Sequence, residues 1–413
     1  PQAGFAMERL MDKAAGEIGL DPAELRARNL IPSNEMPYKV GLVFRDGKPV
    51  VYDSGDYPRC QSEALEKIDY SGFEERQKAA LAEGRYIGIG IGNYVEGTGL
   101  GPFEGATVRV APSGKIFLMT GAAPQGQGHR TTMAQLCAEK FGVDIDDIEV
   151  YLADTTKIAH GVGTFASRIA ANAGPSVHMA ALDVREKAIK IAAYILEAAE
   201  EDIELEDGKA FVRGVPEMSR TLGEIAHAVA GSPGFAMPPG FEPGLEATHY
   251  FSPSQSAYCN GTHIAEVEVD IETGHVGLLR YVIAHDSGNL INPLIVDGQV
   301  QGGLAHGIGN ALFEEQFFDE NANPLTTTFA EYLIPGAGDV LDAETIHIES
   351  PSPLNPLGVK GAGEGGTIPA AASVIAAVEN ALKPFSPEIM NVPVTPSQIV
   401  AAVRAGITPQ PAE

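Results

Sequence analysis

The segment Thr107-Val108-Arg109-Val110-Ala111-Pro112-Ser113-Gly114-Lys115-Ile116-Phe117-Leu118-Met119-Thr120 decides the fold class. It reads as two short strands, Thr107–Val110 and Ile116–Thr120, joined by a turn at Ser113-Gly114. A glycine loop, Gly121–Gly128, follows and opens a helix over Thr131–Phe141. The same order returns later in the chain. Ala265-Glu266-Val267-Glu268-Val269 leads to a turn at Thr273-Gly274, a strand over Val276–Ala284, a long loop and a helix near Gln299–Glu314. The period is too long and the copies too few for a solenoid. The reading is an α+β protein of two related mixed α/β subdomains with a cleft between them. The Pro/Gly-rich stretch Gly231–Gly244 marks their boundary, giving segments 1–85, 86–240 and 241–413.

Outward from these units, Met7, Leu10, Met11, Ala14 and Ile18 recur at helical steps and predict an apolar face on an opening helix. Asp21-Pro22-Ala23-Glu24 predicts a second helix start, with Asp21 as N-cap and Glu24 closing a capping box. A helical stretch is expected over Ala64–Glu83. Arg85–Tyr94 alternates Gly with Ile, which suits a strand lying close against another backbone. Val177–Ala199 and Ala370–Leu382 read as helices, and the tail from Pro409 as frayed.

Composition sets bounds on function. The 413 residues carry 28 Lys and Arg against 55 Asp and Glu, a net charge of −27. No basic cluster offsets this, so nucleic acid is excluded as a main partner. Cys60, Cys137 and Cys259 lie too far apart to hold an iron–sulfur cluster or a zinc ribbon by themselves. No apolar run is long enough to span a membrane, and the first residues do not resemble a signal peptide. A cytoplasmic location is expected. Without an initiator Met, the chain is expected to start mid-protein.

Standard catalytic motifs are missing: no G-x-S-x-G elbow, no Walker A loop and no H-E-x-x-H. Gly361-Ala362-Gly363-Glu364-Gly365-Gly366 matches the dinucleotide fingerprint in form only, because Pro351-Ser352-Pro353-Leu354-Asn355-Pro356 before it cannot be a central strand. What remains is a carboxylate, Glu364, among glycines just before a helix. Gln125-Gly126-Gln127-Gly128-His129 offers backbone N–H groups and amide side chains at a helix start, the makings of an anion and polar-ring cradle. Gly161–Arg168 and Asp297–Gly303 are two further small, polar loops. Together these loops suit one extended polar ligand read largely by backbone amides.

In this order, Gln-Gly-Gln-Gly-His at 125–129, Gly-Thr-Phe-Ala-Ser-Arg at 163–168, Asp-Gly-Gln-Val-Gln-Gly-Gly at 297–303 and Val-Lys-Gly-Ala-Gly-Glu-Gly-Gly at 359–366 resemble the molybdenum hydroxylase family. That family includes xanthine dehydrogenase, aldehyde oxidoreductase and the aerobic carbon monoxide dehydrogenase. The likeness runs nearly end to end, to the C-terminal half of the large molybdopterin-binding subunit. Pro1–Glu8 is similar to the segment after the family's internal substrate loop, so the N-terminal half is expected to be missing or a separate chain.

The resemblance implies roles residue by residue. Glu364 is the expected general base in a dry pocket. Gly126, Gln127, Gly128, Thr131, Gln299, Gly361 and Gly363 are expected to contact the pterin. Ser167, Arg168 and Lys360 are expected to meet its polar and phosphate groups. Glu96, Gly97 and Thr98 fall where relatives place a substrate-facing loop, and no side chain is expected to ligate the metal. The cofactor implied is molybdopterin in its cytosine dinucleotide form, holding molybdenum, with iron–sulfur clusters and FAD on partner subunits. The implied partners are a second molybdopterin-binding chain or N-terminal half, an iron–sulfur subunit, an FAD subunit and a small-molecule substrate. An aldehyde, a purine, another N-heterocycle and carbon monoxide all stay open as that substrate. A non-catalytic cofactor-holding or assembly subunit is the alternative, and it would tolerate loss of Glu364.

Overall fold

The computed structural model describes residues 1–231, 233 and 236–407. The tail from Pro409, and part of the Gly231–Gly244 stretch, lie outside the described residues. Two four-stranded sheets organise the molecule. In one, Leu245–Phe251, Glu104–Val110, Ile116–Thr120 and Ile148–Leu152 lie side by side. In the other the order is Glu344–Ile348, Val276–Asp286, Ala257–Val269 and Tyr86–Thr98. Each sheet contains one antiparallel hairpin, then a helix, then a strand that returns parallel to the second hairpin strand. The internal repeat read from the sequence is thus a hairpin–helix–strand unit, present in both sheets.

The strand that leads into each unit joins the opposite sheet. Tyr86–Thr98 precedes the first unit but pairs with Ala257–Val269 of the second. Leu245–Phe251 precedes the second but pairs with Glu104–Val110 of the first. A division at residue 240 therefore does not separate the sheets, because each contains strands from both sides of it. The exchange brings residues far apart in sequence to adjacent strand positions, Glu96 opposite Cys259 among them.

The alternation of Gly and Ile in Tyr86–Thr98 has the expected cause. Successive side chains in a strand point to opposite faces. Ile87, Ile89 and Ile91 pack with Cys60, Ala64, Ile68 and Phe73. On the other face the helix Ala370–Ala381 lies directly on the backbone: a Cβ at Gly90 would sit 2.2 Å from Ser373 O and 2.3 Å from Ala377 N. That helix and Pro293–Leu312 cover the second sheet around Val267, Ile283, Leu304, Val374 and Val378. The first sheet packs on the long helix Ile169–Leu196, whose Val177, Ala181, Val184, Ala188 and Ile191 are fully buried.

The long helix begins at Ile169, well before the expected Val177, and passes through Pro175. Proline removes one backbone donor but does not end this helix; the adjacent Ser176 hydroxyl donates to Asn172 O at 3.1 Å and Glu104 O at 2.7 Å. The opening helix, Gln2–Ile18, turns the other way from its predicted face. Met7, Leu10 and Ile18 are exposed, whereas Glu8 and Arg9 are buried. Arg26 explains this: it pairs with Glu8 at 2.6 Å and Asp12 at 2.9 Å, and Arg9 pairs with Asp12 at 2.7 Å. A satisfied ionic layer is buried here, and the apolar stripe is left outside. Asp21 caps Pro22–Ala27 as expected, but Glu24 reaches Arg28 at 2.8 Å instead of closing a capping box. The stretch over 64–83 is two helices, Tyr57–Ile68 and Phe73–Ala82, broken at Asp69 in the left-handed region. Among the described residues no helix is long and apolar enough to cross a membrane.

Candidate cofactor cleft

A cleft opens between the two sheets, reached by the loops at 125–129, 164–168 and 359–364 and by Gln299; the Asp297–Gly303 stretch, expected to be a loop, is part of the helix Pro293–Leu312. Gln125 and Gln127 come from the loop before the helix His129–Phe141, and His129 and Thr132 from that helix's first turn. Thr164–Arg168 form one wall, Gln299 projects from Pro293–Leu312, and Lys360–Glu364 close the cleft. Of the expected cofactor contacts, Gln127, Ser167, Arg168, Gln299, Lys360, Gly361 and Gly363 therefore meet in one place, with Glu364 beside them. Gly126 and Gly128 shape the first loop through left-handed backbone, φ 114° and 72°, without lining the cleft. Thr131 is exposed, and it is the next residue, Thr132, that faces inward.

The Gln127 amide is fixed before any ligand arrives. Its Oε1 accepts from Gln125 N at 2.7 Å, and its Nε2 donates to Gln125 Oε1 at 3.1 Å. Two buried polar atoms on residues lining the cleft, His129 Nδ1 and Thr164 Oγ1, have no protein partner. Burial lowers the His129 pKa, which favours the neutral ring.

Arg168 and Lys360 do not do what was expected of them. The Arg168 side chain is completely buried and pairs with Glu104 at 2.6 Å, while also donating to Gly163 O at 2.6 Å and Phe103 O at 2.7 Å. Glu104 Oε1 accepts in addition from Val162 N at 2.8 Å and Gly163 N at 2.7 Å. This carboxylate and guanidinium tie the 161–168 loop to the first sheet, and neither is free for a phosphate. Lys360, also buried, faces Asp286 at 3.5 Å and donates to Ser54 O at 3.2 Å. Both cations build the walls, which leaves backbone amides and neutral side chains to meet a ligand. Glu104 and Asp286 were missed by sequence reasoning, since isolated acids in a chain with 55 of them carry no signal.

The loop around Glu364 is gripped through its glycines. Gly361 N donates to Thr98 Oγ1 at 3.0 Å, and a Cβ on Gly361 would lie 1.8 Å from Ser167 O. A Cβ on Gly365 would meet Tyr94 Oη at 2.3 Å. Glu364 N donates to Ser167 Oγ at 2.9 Å. Ala166 and Ser167 both hold positive φ, 47° and 49°, a costly conformation for non-glycine residues that places the Ser167 hydroxyl under the loop. Thr98, expected to face substrate, is fully buried, and its hydroxyl also donates to Ala257 O at 2.9 Å. It supports the Glu364 loop.

Glu364 itself is exposed, contrary to the dry pocket expected of it, because the side toward Gln299, Gly302 and His306 is open. The buried acid is Glu96, 9% exposed, whose pKa is raised from 4.5 to about 7, chiefly by burial and further by the charge of Glu364. Glu96 and Gly97 border a second cavity beside the opening helix, together with Tyr52, Tyr57 and Asn93. Sequence reasoning also missed a chain of hydrogen bonds leading to the cleft. Asp297 Oδ1 contacts His347 Nε2 at 2.9 Å, His347 Nδ1 contacts His285 Nε2 at 2.8 Å, and His285 Nδ1 contacts Ser287 Oγ at 3.1 Å. Burial holds His285 down to about 3, hence neutral. Among the described residues no group of three or more His, Cys, Asp or Glu is placed to hold a metal ion.

Residues 63–341 match the family model of the molybdopterin cofactor-binding domain. The chain belongs to that family. It is 38% identical over 97% of its length to the nicotine 6-hydroxylase large subunit of Paenarthrobacter nicotinovorans, covering 49% of that protein. It is 35% identical over 88% of its length to the carbon monoxide dehydrogenase large chain of Afipia carboxidovorans, covering 46% of it. Among solved structures, quinoline 2-oxidoreductase from Pseudomonas putida 86 superposes with a TM-score of 0.86 at 38% identity, over 97% of this chain and 52% of that one. A Cu,Mo-CO dehydrogenase gives 0.88 at 32% identity, over 98% and 52%. This molybdopterin-domain chain thus spans about half the length of the relatives it matches. Its two-sheet α+β fold is theirs.

Proposed function

We propose that the chain forms the cofactor cradle and supplies the catalytic base of a molybdenum hydroxylase, a molybdenum-dependent oxidoreductase. The observation that carries this is the convergence of Gln127, Ser167 and Gly361–Glu364, from three separate loops, and of Gln299, from a helix, on one cleft. The residues fit a large polar cofactor: the orphaned His129 Nδ1 and Thr164 Oγ1 call for a hydrogen-bonding ligand, and the glycine loops let its rings approach the backbone. When bound, the molybdenum cofactor supplies the two-electron oxidation and activates the water-derived oxygen.

The chain does the rest. Gln127, already oriented by Gln125, and Gln299 hold the pterin by their amides, with Gly126, Gly128, Gly361 and Gly363 giving it access to the backbone. Amides at the start of the helix His129–Phe141, next to Thr131 and Thr132, suit the phosphates of a cytosine dinucleotide form. Arg168 and Lys360 act by fixing the loops. The Glu364 carboxylate accepts the proton released as oxygen adds to the substrate carbon, an aldehyde or N-heterocycle. Glu96 and Gly97 border the substrate side. The exposed Phe317, Phe318, Leu325, Phe329, Leu333 and Ile334 support a buried interface with a second molybdopterin-binding polypeptide or half, with iron–sulfur and FAD subunits completing a cytoplasmic enzyme.

The test is Glu364→Gln in the assembled enzyme. An isosteric amide cannot take the proton, so turnover should fall by about 10²–10⁴-fold while molybdenum and pterin content stay at wild-type levels. Turnover close to wild type would sink the assignment of Glu364.

A further inference from the structure

His285 and His347 sit on parallel neighbouring strands, Val276–Asp286 and Glu344–Ile348, as direct register partners. Their rings meet edge to face with centroids 4.7 Å apart, and His347 Nδ1 lies 2.8 Å from His285 Nε2. The remaining nitrogens point in opposite directions. His347 Nε2 lies 2.9 Å from Oδ1 of Asp297, on the helix Pro293–Leu312, and the Thr345 hydroxyl donates to that same oxygen at 3.0 Å. His285 Nδ1 lies 3.1 Å from the Ser287 hydroxyl, and Ser287 lines the cofactor cleft. The chain therefore runs from a half-exposed carboxylate inward to the cleft wall, where His285 and Ser287 are buried.

Counting protons fixes which way each bond points. A carboxylate only accepts, so His347 Nε2 carries the hydrogen. In a neutral ring the other nitrogen is then a bare acceptor, and it must receive the Nε2–H of His285. His285 Nδ1 is bare in turn, so the Ser287 hydroxyl spends its single proton on it. We propose that Asp297, His347 and His285 are positioning residues that make Ser287 Oγ an acceptor-only group on the cleft wall, where it takes an N–H donor of the bound ligand. Lone pairs are all that Ser287 has left to offer the cleft. The Asp297 charge polarises each bond in the series, which strengthens the acceptor at the far end. Burial, with His347 beside it, holds His285 down to about 3, and this direction requires that neutral ring. An extra proton on His347 would run the chain the other way, so the acceptor belongs to the neutral pair. A pterin carries ring and amino N–H groups. That the donor is one of these rests on the proposed function of the cleft, whereas the direction of the chain does not.

Nitrogen NMR spectra of the assembled, histidine-labelled enzyme read the direction directly, at about pH 8, above the ordinary imidazole value of about 6.5. His285→Gln and His347→Gln each remove one ring's signals and so assign them. The expected result, in cofactor-free and loaded enzyme alike, is a hydrogen on Nε2 and a bare Nδ1 in both rings. A hydrogen on Nδ1 of either ring would overturn the proposal. Pterin release from the loaded enzyme tests the acceptor itself. Ser287→Ala should lose pterin about tenfold faster than wild type, and Ser287→Thr, which keeps the hydroxyl, at close to the wild-type rate. Asp297→Ala, outside the cleft lining, should also speed release, with the hydrogen of His347 no longer confined to Nε2. Release from Ser287→Ala at the wild-type rate would overturn the acceptor role. Wild-type enzyme free of pterin would sink the reading of the cleft instead, and the tautomers would still decide the direction of the chain.

Discussion

At the scale of single residues, the acids of the site differ by burial, and the consequence can be measured without any substrate. Glu96 ionises near 4.5 when free in water and near 7 in the folded chain, mainly because it is buried. Between those values the native state keeps a proton that the unfolded chain releases. The Glu96 contribution is therefore full below about pH 4.5 and is lost as pH rises through 7, by up to a few kcal/mol. Urea midpoints of the wild type should fall over this window more steeply than those of Glu96→Gln, and parallel slopes would contradict the buried acid. Glu364 could be singled out from sequence because a carboxylate among glycines before a helix is rare. Arg168 and Lys360 were placed at the right loops and given the wrong task. Their partners, Glu104 and Asp286, lie 64 and 74 residues away and are brought to them only by the folded sheets.

At the scale of elements, the Tyr86–Thr98 strand shows sequence and packing in agreement. Gly90→Ala should destabilise by about 1–3 kcal/mol or more, since the new methyl meets the backbone of Ala370–Ala381, which cannot move aside as a side chain would. Gly16→Ala on the opening helix is the control: nothing lies within 4 Å of its Cβ, so the gain in helix propensity should stabilise by about 0.5–1 kcal/mol. Denaturant midpoints of the two variants should move in opposite directions, and equal shifts would argue against the close strand–helix contact. The hairpins and most helices were legible because period and turn chemistry are local. The opening helix was not, because burying Glu8 and Arg9 depends on Arg26 and Asp12, and periodicity of apolar residues carries no trace of an ionic layer. The start of the long helix was hidden by Pro175, and the exchange of leading strands between sheets by its non-local pairing.

At the scale of the whole molecule, two repeated units place their loops around one cleft, and strands exchanged between them bring the support for the Glu364 loop from both sheets: Thr98 from one, Ser167 beside the other. The repeat, the loop order and the family were readable from sequence, because each loop keeps its small residues contiguous. Which side chains face the ligand was not, because that is set by how the loops pack. The central claim is that this cleft holds a molybdenum cofactor through open backbone and amides. The most direct measurement is molybdenum and pterin content of the purified assembled enzyme, for wild type, Gly126→Val and Gln299→Leu, with circular dichroism as the check on folding. Gly126 has φ 114° and Gln299 lines the cleft, so one change strains the cradle backbone and the other removes an amide. Stoichiometric molybdenum and pterin in the wild type, and loss of both from natively folded variants, is the predicted result; full occupancy in both variants, or none in the wild type, would contradict it.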